Sequence, residues 1–158
     1  MKIANTFRRS QRIPIWLAAF GLLFCGAALG RKRAPSAEEI ETELNRAPAE
    51  AAQWQNPYAG QPEALMAGKK LYGRRCAQCH RPDGDGKEKA PSLRAPVIQN
   101  AAPGVLFWMV KNGNRKDGMP GWAGLPEQQI WQVITYVKSL GPDTRPAEER
   151  TPPAEKRE

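Results

Sequence analysis

Residues 76–80 read Cys-Ala-Gln-Cys-His, and they hold two of the chain's three cysteines and its single histidine. Residues three and four apart share one face of a helical turn, so Cys76 and Cys79 project to the same side. His80, one position on, comes beneath whatever the two sulfurs hold. The spacing suits a flat macrocycle tied down at two points and ligated at its centre. Cys-x-x-Cys-His is the attachment pattern of a c-type haem: each cysteine forms a thioether to one haem vinyl, and the histidine ligates the iron.

Three other readings of the motif are weaker. A structural zinc site needs four protein ligands, and this chain has one His and, apart from Cys25 in an apolar stretch, only these two Cys. A thioredoxin-like Cys pair calls for a βαβ context, yet neither flank reads as a Val/Ile-rich strand. A disulfide across two intervening residues closes so short a loop that it would stabilise little.

At 158 residues the chain has the length of one domain, but its fifteen Pro and fourteen Gly leave much of it outside a packed core. The compact part runs from about Pro62 to Gly141. That is short for a domain burying its core unaided, and a haem with side chains packed around it supplies the missing interior. The net charge of +8 is uneven. From Trp54 to Gly141 there are twelve Lys and Arg against six Asp and Glu, a net +6. A basic globule implies attraction to acidic protein surfaces. Nucleic acid is the generic alternative for a high charge, and no basic helix interleaved with aromatics supports it.

The N-terminus carries Lys2, Arg8, Arg9 and Arg12 without an acid, followed by a nearly unbroken apolar run from Ile13 to Leu29. This is an export signal, either cleaved near Gly30 or retained as a membrane anchor. The run sits at the low end of the ~17–25 residues that a membrane helix requires. Arg31-Lys32-Arg33 makes a poor start for a mature chain, which favours a retained anchor with its N-terminus inside. Cys25 reads as a small apolar residue within the run. Haem attachment takes place on the exported side, so the expected location is the periplasmic face of a bacterial inner membrane, anchored or, after cleavage, soluble.

Residues 31–61 read as a linker. Within it, Ser36 and Glu39 form a capping-box pair that opens a short acidic helix, stopped near Pro48. From Pro62 the apolar positions Ala64, Leu65, Gly68, Leu71 and Tyr72 follow helical spacing up to the Cys76 turn. Gly68, in the interior of that helix, costs about 1 kcal/mol relative to Ala, which points to another helix crossing closely there. Arg81 to Lys87 is turn chemistry. Pro103 opens a helix that ends at Asn112-Gly113. The last helix begins after Leu125-Pro126, and its apolar residues from Ile130 to Leu140 are too many for one stripe, so it buries two faces and stops at Gly141-Pro142. Residues 142–158 are Pro-rich and charged and are expected to be disordered. The fold class is all-α.

A second axial ligand must come from something other than histidine. Met66 and Met109 occupy helical stripes and read as packing residues. Met119 lies outside any stripe, is fixed by Pro120, and stands 39 residues after His80 in a loop long enough to fold over the ring. Met119 is therefore the expected sixth ligand, and His/Met ligation fills both axial positions and suits electron transfer rather than oxygen chemistry.

Cys76-Ala-Gln-Cys-His80, Ala90-Pro-Ser-Leu93, Gly118-Met-Pro-Gly-Trp122 and the closing helix together resemble the class I cytochrome c family over about residues 62–141. The resemblance implies that Gly68 and Tyr72 pack against Tyr136 of the last helix. It also implies that the Pro91 carbonyl accepts a hydrogen bond from His80 Nδ1. Arg81 departs from the family, which often has glycine there. The haem edge in this family is exposed near the attachment motif, where Lys69, Lys70, Arg74, Arg75, Arg81, Lys87 and Lys89 lie close in sequence. Gly68-Lys-Lys-Leu-Tyr72 and Gly124-Leu-Pro-Glu-Gln-Gln-Ile-Trp131 are similar to small bacterial cytochromes that accept electrons from quinoprotein dehydrogenases.

The resulting expectation is a monohaem electron carrier without substrate chemistry. It binds one haem c and its iron through Cys76, Cys79, His80 and Met119, and it docks acidic redox partners. A haem enzyme or gas sensor with a displaceable sixth ligand is the alternative, and a dedicated subunit of a dehydrogenase or oxidase complex shares the carrier's chemistry.

Overall fold

The computed structural model describes residues 33–141; the apolar run at 13–29 and the segment 142–158 lie outside the described residues. Six α-helices follow in order: α1 Ala37–Leu44, α2 Pro62–Arg75, α3 Ala77–His80, α4 Pro96–Asn100, α5 Pro103–Asn112 and α6 Glu127–Ser139. Short 3₁₀ turns occupy Ala49–Gln53 and Arg115–Asp117. Among the described residues no strand forms, and only two isolated bridges occur, Lys87 with Ala90 and Asn114 with Met119.

Local sequence sets the helix ends. Proline stands in the first turn of α2, α4 and α5, where its missing N–H would have no intrahelical partner. At α1 the Ser36 side chain accepts from Glu39 N–H, and the Glu39 carboxylate accepts from Ser36 N–H at 2.7 Å, completing the capping box. Gly113, at φ 73°, ends α5.

The core is organised on the crossing of α2 and α6. At Gly68 a β-carbon would strike the Gln132 carbonyl of α6, so only glycine lets the two backbones come this close. Next to the crossing, the Tyr72 and Tyr136 rings pack with centroids 5.0 Å apart. Helix α6 buries Ile130, Trp131, Val133, Ile134, Tyr136 and Val137, which is both of its long faces. One face meets α2. On α5, Phe107 stacks on Trp131 at 4.3 Å. Lys138 Nζ donates to the carbonyls of Gln99 and Ala101, and Gln99 Nε2 donates to those of Leu93 and Val137, tying α4 to the end of α6.

The stretch expected as a linker, 31–61, holds its capped helix but does not stand off as a spacer from residue 33 onward. Ile40 and Ala51 are buried. Trp54 sets its ring edge against Phe107 at 6.0 Å. Gly104 of α5 fits against Ala51 and Trp54 with no room for a side chain. Asn56 Nδ2 donates to Thr135 Oγ1 at 2.9 Å and to the Trp131 carbonyl at 3.2 Å. The apolar residues responsible are spaced too irregularly to announce themselves, since each serves a different turn.

Candidate functional site: a haem-attachment turn and the loop fastened across it

Helix α2 ends in Cys76, whose N–H still bonds the Tyr72 carbonyl at 2.8 Å, and the chain turns at once into the single-turn α3. The N–H groups of Cys79 and His80 both bond the Cys76 carbonyl, at 3.1 and 2.9 Å. This closed turn sets both thiols and the imidazole within five consecutive residues. Cys76 and Cys79 are free of each other, Cys76 half-buried and Cys79 exposed. Burial, followed by the neighbouring Cys79, pushes the Cys76 thiol up to about 11, so it carries its proton at neutral pH.

His80 is buried, and its Nδ1 lies 3.0 Å from the Pro91 carbonyl. A carbonyl only accepts, so Nδ1 carries the hydrogen and Nε2 keeps its lone pair for a metal. Burial lowers the His80 pKa against a smaller upward effect of the Pro91 bond, which keeps the ring neutral and able to ligate. Pro91 is held in place by the loop before it. Gly86 N–H bonds the His80 carbonyl at 3.0 Å, and Lys87 and Ala90 exchange both of their backbone bonds. At Gly86, φ 79°, a β-carbon would lie 2.6 Å from the Pro91 carbonyl carbon. Tyr72 adds a second brace, its hydroxyl donating to the carbonyls of Arg81 at 2.7 Å and His80 at 3.3 Å.

Met119 belongs to a different part of the chain, the loop after α5. It is half-buried and exchanges two backbone bonds with Asn114, both 2.9 Å. Asn114 Nδ2 donates to Asp117 Oδ2 at 2.8 Å, and Trp122 N–H returns to the Val110 carbonyl at 3.0 Å. The loop is therefore hydrogen-bonded at both ends. It also meets the chain before and after the attachment turn. The Arg75 guanidinium, next to Cys76, lies 5.6 Å from the centre of the Trp122 ring. On the other flank, Lys89 Nζ stands 3.9 Å from Asp117 Oδ1.

The structure thus gathers Cys76, Cys79 and His80 in one turn and ties the Met119 loop to both flanks of it. The Asn114–Met119 bridge and the Tyr72 brace, both local, and the long-range Arg75–Trp122 contact have no counterpart in the helical spacing of the sequence. Among the described residues no group of three or more His, Cys, Asp or Glu side chains is arranged to hold a metal ion. The donor set that is present, two unpaired thiols one turn apart and a neutral imidazole with Nε2 free, fits a covalently held haem.

Residues 63–137 match the family model described as cytochrome C oxidase, cbb3-type, subunit III. Among solved structures, the chain is similar to cytochrome CL from the marine methylotrophic bacterium Methylophaga aminisulfidivorans, at 26% identity over 72% of each chain with a TM-score of 0.50. The helical fold around the attachment turn and these two likenesses make residues 63–137 a c-type cytochrome domain. Its cofactor is haem c with its iron.

Proposed function

We propose that this protein is an exported one-electron carrier in which His80 and Met119 hold the haem iron between them. Bound haem supplies a one-electron iron couple. The protein supplies the thioether anchors at Cys76 and Cys79, the neutral imidazole oriented by Pro91, and a fastened loop that offers the Met119 thioether. The observation that carries this reading is the contact of that loop with the chain on either side of the turn, through Trp122 on Arg75 and Asp117 near Lys89. With His80 and Met119 both on the iron, no position would be left open to a substrate or gas, and the potential would be raised. The oxidised holoprotein should show the weak near-infrared charge-transfer band of methionine on iron. Met119→Ala should keep the covalent haem, abolish that band, lower the potential and admit carbon monoxide to the reduced protein. An unchanged spectrum and potential would assign the ligand elsewhere, and rapid carbon monoxide binding by the unmutated protein would favour a sensor or enzyme.

The partners are redox proteins with acidic docking surfaces. Likeness to a methylotroph's cytochrome CL and to cytochromes serving quinoprotein dehydrogenases supports a dehydrogenase as donor. The oxidase description of the family model supports a second reading, a subunit of an oxidase complex, which co-purification with a catalytic subunit would distinguish. The apolar run at 13–29 serves as an anchor that keeps the domain at the periplasmic face. Membrane fractionation followed by intact mass should recover a species retaining residues 1–30, and a soluble species beginning near Arg31 would rule the anchor out.

A further inference from the structure

The carbonyl that orients His80 belongs to a loop without helix or strand, and its place has to be fixed from outside. Residues 84–86 and 90–92 pass close against each other: a β-carbon at Gly86 would meet the Ala90 carbonyl oxygen and lie 2.7 Å from Ser92 N. Leu93 N–H closes the second pass onto the Gly84 carbonyl at 2.7 Å, and Gly86 N–H closes the first onto His80. These bonds join the two passes to each other and to the attachment turn. None of them reaches the long helices.

That link comes from α4. Gln99 Nε2 donates to the Leu93 carbonyl at 2.7 Å and to the Val137 carbonyl of α6 at 3.0 Å. Leu93 stands two residues beyond Pro91, so a single amide joins the loop that bears the His80 acceptor to the end of the closing helix. Gln99 is itself held: its N–H bonds the Ala95 carbonyl at 3.0 Å, and its own carbonyl receives Lys138 Nζ. Helix α6 comes up to the loop again at Leu140, whose Cδ1 would lie 2.6 Å from a β-carbon at Gly84. Helix α4 buries only Ile98, and its other contribution is this placement of Gln99.

We infer that Gln99 is a positioning residue for the iron ligand: by fastening Leu93 to α6 it holds the Pro91 carbonyl on His80 Nδ1, and so sets how strongly the imidazole donates to iron. The inference rests on His80 being that ligand. An imidazole whose Nδ1–H is held by a carbonyl is the more basic donor, and it stabilises ferric over ferrous iron. With Leu93 let go, the Pro91–His80 bond loosens, the imidazole donates less and the potential rises. Gln99 carries no charge, so its replacement by an apolar residue moves the potential through geometry and not through a charge lost near the iron.

His80 is the chain's single histidine, so NMR of the holoprotein with isotope-labelled histidine follows one imidazole, while a redox titration reads the iron. Gln99→Leu, which removes the amide at similar volume, should raise the potential and speed hydrogen exchange at His80 Nδ1 on the order of tenfold, the effect of one lost neutral hydrogen bond. Gln99→Asn keeps an amide too short to span both carbonyls and should fall between; it decides the question if the Leu variant does not fold. Asn56→Ala is the comparison. Asn56 bonds Thr135 and the Trp131 carbonyl nearer the start of α6, so its loss weakens the fold without touching the loop, and the potential should stay at the unmutated value. Gln99 variants with unchanged potential and exchange would overturn the inference. A rise of the same size in Asn56→Ala would also overturn it, because Gln99 would then be a general stabiliser. If the His80 Nδ1–H of the oxidised, unmutated holoprotein shows no paramagnetic shift, His80 is off the iron, which defeats the ligation reading and this inference with it.

Discussion

Helix α2 contains two glycines five residues apart whose replacement by alanine should have opposite effects. At Gly68 an added β-carbon meets α6 backbone: it overlaps the Gln132 carbonyl oxygen and lies 2.6 Å from the carbonyl carbon and 3.2 Å from Tyr136 Cβ. A helix carbonyl cannot swing aside, so the helices must part by about 1 Å, a gap that forfeits a quarter to a half of each dispersion contact along the crossing. Overpacking of this kind costs roughly 1–3 kcal/mol, and loosened packing around the Tyr72–Tyr136 pair adds to it. Alanine's better helix propensity returns about 1 kcal/mol. The net loss is about 2 kcal/mol, a fall in melting temperature of about 8 °C or more for a domain of this size. At Gly73 nothing lies within 4 Å of the added carbon, so Gly73→Ala keeps the propensity gain and should raise stability by about 0.5–1 kcal/mol. Urea unfolding of the two holoproteins, with the slope m checked for constancy, is the assay. If Gly68→Ala is as stable as Gly73→Ala, the backbones do not cross at Gly68 and the packing argument fails.

Tyr72→Phe should cost about 1–2 kcal/mol, because it leaves the Arg81 and His80 carbonyls without their shared donor; a thermal melt of the holoprotein measures it. At α1, the Ser36 N–H and then the Arg33 guanidinium hold the Glu39 carboxyl below its ordinary 4.5. A depressed acid pKa favours the folded state above the ordinary value and loses that contribution as pH falls through the folded one. Protection of the Ser36 amide against hydrogen exchange should therefore be full at neutral pH and decline below about pH 4.5. A pH-independent protection factor would show that the capping box does not depend on the ionised carboxylate.

Much of the site could be read in advance because its signals are local. Cys76, Cys79 and His80 lie in one turn, the Ser36–Glu39 box spans four residues, and Pro62, Pro103 and Gly113 mark helix ends by their own backbone limits. Gly68 was informative for a different reason: a residue that weakens its own helix must be explained by a neighbour, and Gln132 of α6 is that neighbour. The resemblance to class I cytochromes carried the Pro91–His80 bond and the Tyr72–Tyr136 contact, which no spacing rule would give. Helix α4 went unforeseen because it has five residues, no side-chain cap and one buried apolar residue, Ile98. Arg81 is held at φ 64°, where glycine is favoured, and the cost of that was invisible for a similar reason. Its departure from glycine was plain in the sequence, but the φ that gives the departure a cost depends on bonds from Tyr72 and Gly84.

The packing of residues 33–61 bears on how the domain would meet a membrane. A loose tether here would argue for an anchor, since a freely diffusing carrier has little use for a spacer. With Ile40, Ala51 and Trp54 set against the domain and Asn56 bonded to Thr135, it is part of the globule, and that reason falls away. What still favours an anchor is the apolar run and the Arg31-Lys32-Arg33 cluster directly after it. The two readings also predict different reach. Only six residues separate Gly30 from the start of α1 at Ala37, and fully extended they span about 20 Å. A carrier held at Leu29 would thus search for partners within a thin layer above the bilayer rather than at the end of a long arm.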